Sequence, residues 1–171
     1  MSWAERGFVC ALSLILVFGL AGCQVRPLYA DAPGGAGPQS DLPAISVQSP
    51  GTRAEQVYRN ALIFGLTGGG DAADARYALT YRMTINARGI VTERGTGTPN
   101  AYLLAGSVSF LLKDNASGES AFGANVTATD SYTRSSQDFS NIRGLRDAED
   151  RLAKALAELT QARLAAFFAT R

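Results

Sequence analysis

The sequence predicts an α+β fold, a two-layer sandwich in which a four-stranded sheet carries two helices on one face. Three long segments alternate apolar and polar residues, as strands with one buried face do. Two other segments repeat apolar residues with the period of a helix. In chain order these segments, with one further short strand, read strand, helix, three strands, helix, or β-α-β-β-β-α. The chain has 171 residues and is 46% hydrophobic, which is enough for one domain with one core.

The first strand and the first helix lie between residues 44 and 66. Ala44 to Ser49 is a short strand candidate in which apolar residues alternate with polar ones, and Pro50-Gly51 ends it. Thr52 and Glu55 then match a capping box, in which their side chains bond the unpaired amides of the first helical turn. The helix is predicted to run to about Leu66 and to end at the glycines 68–70. These glycines do not read as a phosphate loop, because they follow a helix and no Gly-Lys-Ser/Thr comes after them.

Three strands follow the first helix. Arg76 to Arg88 is the clearest, and its predicted inner face consists of Tyr77, Leu79, Tyr81, Met83, Ile85 and Ala87. A second strand is predicted from Ala101 to Lys113 and a third from about Glu119 to Thr133. The turn residues 114–118 between them predict a hairpin. Because the second face of each strand is polar, we expect the sheet to have one core face and one face that is either solvated or bound to a partner.

The last element is a long helix from about Leu145 to Thr170. Asp147, Glu149 and Asp150 lie in its first turns, where the helix dipole favours acidic side chains. Its apolar stripe consists of Leu145, Ala148, Leu152, Leu156, Leu159 and Ala162, closed by Phe167 and Phe168. We expect this helix to pack beside the first one on the inner face of the sheet. The order of the strands in the sheet stays open.

The N-terminus has the layout of a secretory signal, which we assign to residues 1–22. Arg6 and the free amine precede 13 apolar residues from Phe8 to Leu20, and the small pair Ala21-Gly22 follows. A transmembrane helix is the alternative. The 16 residues from Gly7 to Gly22 are too few for it, because about 20 are needed to cross the hydrocarbon core.

The segment Leu20-Ala21-Gly22-Cys23 resembles the lipobox of bacterial lipoproteins. The resemblance implies that the Cys23 thiol receives a diacylglyceryl group, that palmitate or a similar acyl chain is attached, and that Cys23 becomes the first residue of the mature chain. A doubly acylated cysteine is a stable membrane anchor. A reactive or metal-binding role for Cys23 is disfavoured, because no His or second Cys lies near it in the sequence. In lipoproteins of this kind, an Asp just after the cysteine favours retention in the inner membrane. This chain has Gln24 at that position, which resembles the lipoproteins that go to the outer membrane by default.

These assignments divide the chain into three parts. Residues 1–22 are the signal peptide, residues 23–43 are a lipidated N-terminus with a flexible tether rich in Pro, Gly and Ala, and residues 44–171 form a single α+β domain. Cys10 would be removed with the signal, so the mature chain would keep one cysteine and form no internal disulfide.

The composition argues against several classes of function. The chain contains no His, which removes the commonest general base and metal ligand. With 16 basic and 15 acidic residues, no broad field favours nucleic acid. The carboxylates Asp71 and Asp74 lie in a glycine-rich loop, and the other acidic cluster opens the last helix, so both have non-catalytic explanations. We expect a protein that is not an enzyme and has no cofactor and no metal.

A family resemblance begins at the cysteine. Cys23-Gln-Val-Arg26-Pro-Leu-Tyr29 resembles the "CGFRPLYG"-like start of the LptE family of lipopolysaccharide-assembly lipoproteins, with Gln-Val in place of Gly-Phe and Ala30 in place of the final Gly. The resemblance extends through Arg59-Asn-Ala-Leu62, the hairpin and the last helix. It implies a non-catalytic outer-membrane lipoprotein that sits inside the LptD β-barrel and helps it to deliver lipopolysaccharide to the cell surface.

Three arginines are candidate ligands for lipopolysaccharide. Arg82 and Arg88 lie on the polar face of the first long strand and Arg94 lies just beyond it, and each guanidinium suits a phosphate group of lipid A. The alternative is that these residues only solvate an exposed sheet face. For the whole protein, the alternatives are an envelope lipoprotein that binds lipid or another envelope component, and a lipoprotein hydrolase.

Overall fold

The computed structural model describes residues 38–72, 74–92, 97 and 99–170. The elements in chain order are helix α1 (Pro38–Asp41), a short 3-10 helix (Leu42–Ala44), strand β1 (Ile45–Val47), helix α2 (Arg53–Thr67), strands β2 (Tyr77–Thr92), β3 (Pro99–Asp114) and β4 (Ser120–Thr133), and helix α3 (Asp138–Ala169). The prediction of an α+β sandwich is confirmed.

The four strands lie in the order β1-β2-β3-β4. β1 runs parallel to β2, with Ile45 opposite Tyr77, whereas β2, β3 and β4 are antiparallel to one another. The parallel pair follows from α2, which carries the chain back to the end of the sheet from which β1 started. The predicted hairpin is β3–β4, in which Val108 lies opposite Val126.

The core lies between one face of the sheet and the two long helices. Its largest fully buried side chains include Tyr58 and Leu62 of α2, Leu79 and Leu104 of the sheet, and Leu156 of α3. Gly106 fits here because a Cβ at this position would lie 2.9 Å from Leu156 Cδ1. Met83 and Ile85, further along β2, are only partly buried against the core.

Both ends of α2 follow from the sequence. The Glu55 amide donates to the Thr52 hydroxyl, and the Glu55 carboxylate accepts from the Thr52 amide, as the capping box predicts. Gly68 ends the helix with φ of 77°, a left-handed conformation that glycine adopts without steric cost.

The structure differs from the sequence prediction at two places. Residues 38–43 were assigned to the flexible tether, but they form α1 and part of the 3-10 helix, because Leu42 is buried and Asp41 pairs with Arg76 at 2.5 Å. Helix α3 begins at Asp138, seven residues before the predicted start at Leu145. Its first two turns carry no buried apolar stripe that the sequence could reveal.

An amide side chain stabilises that early start of α3. The Asn141 side-chain Nδ2 donates to the Ser135 backbone carbonyl at 2.9 Å, and the Ser135 backbone amide donates to Asn141 Oδ1 at 2.8 Å. These two bonds join the first turn of the helix to the chain that precedes it. By contrast, Phe139 and Ile142 are 74% and 51% exposed, so they give no signal of burial.

The predicted signal peptide, the lipobox with Cys23, and Arg94 lie outside the described residues. Among the residues described, no helix has the length and apolar character that crossing a bilayer requires.

Candidate functional site

The candidate binding surface is the face of the sheet that the helices leave uncovered, which we call the outer face. Strand register places alternate residues of β2, β3 and β4 side by side across it. Most of them are short and polar: Thr80, Thr84, Asn86, Ser107, Ser109, Asn125, Thr127, Thr129 and Ser131. As predicted, the polar residues of β2 lie opposite its core-facing ones.

Hydrogen bonds between side chains cross this face from strand to strand. The Thr84 and Ser107 hydroxyl oxygens are 2.8 Å apart, and the Asn125 amide donates to the Ser109 hydroxyl at 2.8 Å. Such cross-strand pairs hold neighbouring side chains in one orientation. The outer face is therefore a flat array of hydroxyl and amide groups.

Cationic side chains are the charged groups of the outer face. Arg82 and Arg88 are both exposed on it, as predicted, and Lys113 joins them from β3. Within the described residues, no carboxylate projects from this face. Arg82 and Arg88 are six residues apart along β2, which is about 20 Å, so one phosphate group cannot contact both. Lys113 was missed as a candidate, although its position next to inward-facing Leu112 indicates the outer face.

A shallow cavity of about 300 Å³ adjoins Arg82 on this face. Thr80 and Ser109 supply hydroxyl groups to its lining, and Leu111 supplies an apolar one. The cavity is open to solvent and offers a guanidinium beside hydroxyl donors, which suits an anionic group better than an apolar one.

The opposite side of the molecule has a second polar cavity, of about 310 Å³, where α2 begins beside α3. It is lined by Arg53, Arg143, Arg146, Asp147 and Asp150. Arg53 and Asp150 pair through two nitrogen–oxygen contacts of 2.7 Å. The hydrogen bond to Asp150 raises the pKa of Arg53. This pair could not be predicted from the sequence, because its members are 97 positions apart.

Asp71, Asp147 and Asp150, three of the five carboxylates considered for acid–base chemistry, make ion pairs. Asp71 accepts from Arg59 at 2.6 Å, and Asp147 pairs with Arg151 one helical turn away. Arg151 also binds Asp130 of β4 at 2.9 Å, and this hydrogen bond holds the pKa of Asp130 below its usual range. In the part of the chain that the structure describes, no group of three His, Cys, Asp or Glu residues is placed to hold a metal ion.

Two tyrosines lie side by side in the core with different hydrogen bonding. The Tyr58 hydroxyl donates to Thr160 at 3.1 Å, and Thr160 in turn donates to the Leu156 carbonyl at 2.9 Å. The Tyr81 ring lies 4.9 Å from that of Tyr58, but its buried hydroxyl has no partner among the described residues. Burial raises the pKa of both phenols.

Comparisons with known proteins agree with this architecture. The family model LptE, described as lipopolysaccharide-assembly, matches residues 42–164. A lipoprotein from Caulobacter crescentus CB15 is 22% identical, with a TM-score of 0.64, over 78% of this chain and 97% of that one. Lipoprotein B from Nitrosomonas europaea is 13% identical, with a TM-score of 0.56, over 85% and 92% of the two chains.

A third structure, rare lipoprotein B from Shewanella oneidensis, is 14% identical, with a TM-score of 0.53, over 71% of this chain and 91% of that one. At such identities these structures show a shared fold. The comparison with curated proteins gave no match.

Proposed function

This chain belongs to the LptE lipopolysaccharide-assembly family, and from that membership we propose that it is a non-catalytic outer-membrane lipoprotein that partners an LptD-like β-barrel. In this role it helps the barrel to assemble and to deliver lipopolysaccharide to the cell surface. The family match covers residues 42–164, which contain the whole sheet and most of α3.

The anchor in this proposal is Cys23. Removal of residues 1–22 would leave Cys23 at the N-terminus, with residues 24–37 between it and the first described residue, Pro38. Two acyl chains hold a protein at a bilayer stably, whereas one chain is marginal. The domain would then be tethered on the periplasmic side of the outer membrane.

The outer face of the sheet is the observation that carries the barrel partnership. The lumen of an outer-membrane barrel is polar, so a protein inside it must offer hydrogen-bonding groups that the wall can use. The ladder of Thr84, Ser107 and Thr127 offers donors and acceptors on short side chains that lose little entropy on contact. We assign the outer face to the barrel wall.

The cations of the outer face are assigned to lipopolysaccharide. Arg82, Arg88 and Arg94 would each bind a separate lipid A phosphate, because Arg82 and Arg88 are too far apart to share one. Lys113 adds positive charge on the same face. The absence of carboxylates on this face, in the described residues, leaves both guanidinium groups available to an anion.

Co-purification tests the barrel partnership. The full-length chain, extracted from outer membranes in mild detergent, should bring an LptD-like barrel with it. Thr84→Glu with Thr127→Glu places two charges on the outer face and should remove the barrel. Gln56→Glu with Ala166→Glu makes the same change at exposed positions of the helices and should not. Recovery of no barrel with the unmodified chain, or equal loss with both pairs, would refute the assignment.

Binding of purified lipopolysaccharide at low salt tests the cationic assignment. Arg82→Glu with Arg88→Glu should weaken binding by about tenfold or more, because each charge-assisted bond to phosphate contributes roughly 1.5–3 kcal/mol. Lys154→Glu with Arg163→Glu changes the net charge equally on the exposed side of α3 and serves as the control. Equal effects of the two pairs would indicate a general field rather than a site.

A further inference from the structure

The edge of the sheet beside β2 loses its neighbouring strand after a few residues. β1 pairs with β2 only from Tyr77 to Leu79. Gln48 extends the pairing slightly, since its amide donates to the Leu79 carbonyl at 3.0 Å and its side-chain oxygen accepts from the Tyr81 amide at 3.2 Å. Pro50, two residues later, has no backbone N–H to donate to β2, and the chain turns away from the sheet into α2. Beyond Tyr81, no strand of the described chain lies along this edge.

Strand geometry identifies the backbone groups that this leaves open. The peptide groups of successive residues point to opposite edges of a strand. Because those of Leu79 and Tyr81 point towards β1, those of Met83, Ile85 and Ala87 point to the same side, where β1 has ended. The peptide groups of Arg82, Thr84 and Asn86 point the other way, to β3. Such a row of open amides and carbonyls is a template for another strand.

The inner face beside this edge is also incompletely covered. α2 has 15 residues and is about 22 Å long, whereas β2 has 16 residues and spans about 53 Å. α2 therefore covers only the first half of β2. Met83 and Ile85 stay partly exposed, and Ala87, two residues further along the same face, is exposed.

The opposite edge of the sheet, along β4, also has no neighbouring strand among the described residues, but its inner face is covered by α3. Along β4, the Ser131 amide is bonded to its neighbour Asp130 at 2.6 Å, and the Ser131 carbonyl accepts from Arg151 at 3.2 Å. The inward side chains of β4, such as Val126, are packed under α3. The other outward backbone groups of β4 are open, but an added strand would find less apolar surface there, and β4 carries no cationic side chain.

We propose that the edge of β2 from Met83 to Gly89 is a docking site for an extended segment of a partner protein, which adds a strand to the sheet. Open backbone groups would supply the hydrogen bonds, and alternate side chains the selectivity. Residues of the partner on the inner side would contact Met83 and Ile85 and should be apolar. Residues on the outer side would lie beside Arg82 and Arg88 and should be acidic. The site goes beyond the proposed function, since it needs neither lipopolysaccharide nor a barrel wall.

A short synthetic peptide of alternating Val and Glu is the probe. Titrated into the full-length chain, it should bind and should slow the hydrogen exchange of the Met83, Ile85 and Ala87 amides. A peptide of the same composition with Val and Glu in pairs cannot place its apolar side chains on one face, so it should bind at least about tenfold more weakly. A peptide of alternating Val and Lys should also bind at least about tenfold more weakly than the Val–Glu peptide.

Two variants separate backbone pairing from charge. Ile85→Pro removes one outward amide at an edge, where proline is tolerated, and should weaken peptide binding by about tenfold. Thr127→Pro removes an outward amide of β4 and should leave binding unchanged. Arg82→Glu with Arg88→Glu keeps the backbone intact and should reverse the preference, from the Glu peptide to the Lys peptide. Lipopolysaccharide binding by Ile85→Pro should be normal, which distinguishes failure of this proposal from failure of the proposed function.

Several results would overturn the proposal. These are no binding of the alternating Val–Glu peptide, equal binding of the paired peptide, or equal effects of the two proline variants. Slow exchange of the Met83, Ile85 and Ala87 amides in the free monomer would mean that another part of this chain covers the edge. The same protection in a dimer would assign the edge to a second copy.

Discussion

Arg53, the first residue of α2, and Asp150 of α3 form a two-pronged ion pair, with both nitrogen–oxygen distances at 2.7 Å. The pair joins the start of the shorter helix to the longer one. Both side chains keep contact with solvent, at 52% and 28% exposure, so water and salt screen their attraction.

We therefore expect Arg53→Ala to lower the melting temperature only slightly, by about 2 °C or less at low salt, with a smaller effect at high salt. Arg143→Ala is the matched control, because Arg143 lines the same cavity and stacks on Phe139 without a carboxylate partner in the described chain. The melting temperatures of both variants are measured by thermal unfolding at two salt concentrations. A loss for Arg53→Ala that salt does not change would contradict an electrostatic origin.

The neighbouring tyrosines of the core should respond differently to loss of their hydroxyls. Tyr58→Phe removes a buried bond to Thr160 and should lower the free energy of unfolding by about 1 kcal/mol. Tyr81→Phe removes a buried hydroxyl that has no partner among the described residues, and should be neutral or stabilising. Denaturant unfolding of both variants gives the comparison. Equal destabilisation would mean that Tyr81 has a hydrogen-bond partner in solution.

Acid should weaken the contact between β4 and α3. The hydrogen bond from Arg151 lowers the pKa of Asp130 in the folded state, so this carboxylate contributes stability above its ordinary pKa of 3.8. The contribution is lost as the pH falls through the lower folded-state value. Asp130→Asn should therefore have a lower free energy of unfolding than the unmodified chain at neutral pH, and this difference should disappear in acid. Denaturant unfolding of both chains from pH 7 to pH 2 tests this prediction. A difference in unfolding free energy that does not change with pH would contradict it.

Gly106 should tolerate a side chain poorly, because its Cβ would enter the core. Its Cβ would lie 2.9 Å from Leu156 and 3.0 Å from Leu152 inside the core, so we expect Gly106→Ala to cost about 1–3 kcal/mol of unfolding free energy. Gly123→Ala is the control on the outer face, where the nearest atom is Leu111 Cδ1, 3.3 Å away. Denaturant unfolding should rank the two variants in this order. A reversed order would mean that α3 shifts freely away from the sheet.

The long elements were predictable because their signals are local. Alternation of apolar and polar residues in β2 predicts a strand with one buried face. The spacing of Thr52 and Glu55 predicts the start of α2. The early start of α3 was not predictable, because its first turns depend on the bonds between Asn141 and Ser135 rather than on a buried stripe. Ordered residues 38–43 were missed for a similar reason, since Asp41 finds its partner Arg76 far along the chain.

The candidate site divides in the same way. Arg82 and Arg88 were placed on one polar face by the two-residue period of the strand, and the structure confirms that placement. The same rule applied to β3 would have found Lys113. The open edge beyond Tyr81 could not be read from sequence, because it depends on which strand neighbours β2 and on where that strand ends.

The sequence by itself determined the order and kind of the four strands and the two long helices, the polar face with its arginines, and the resemblance that led to the family. Each of these depends on residues near one another in the chain. Only the tertiary structure decided that β1 pairs with β2 for three residues, that α2 covers half of β2, and that Arg53 finds Asp150. These features depend on the relative lengths and meeting points of distant elements, which packing around a shared core fixes.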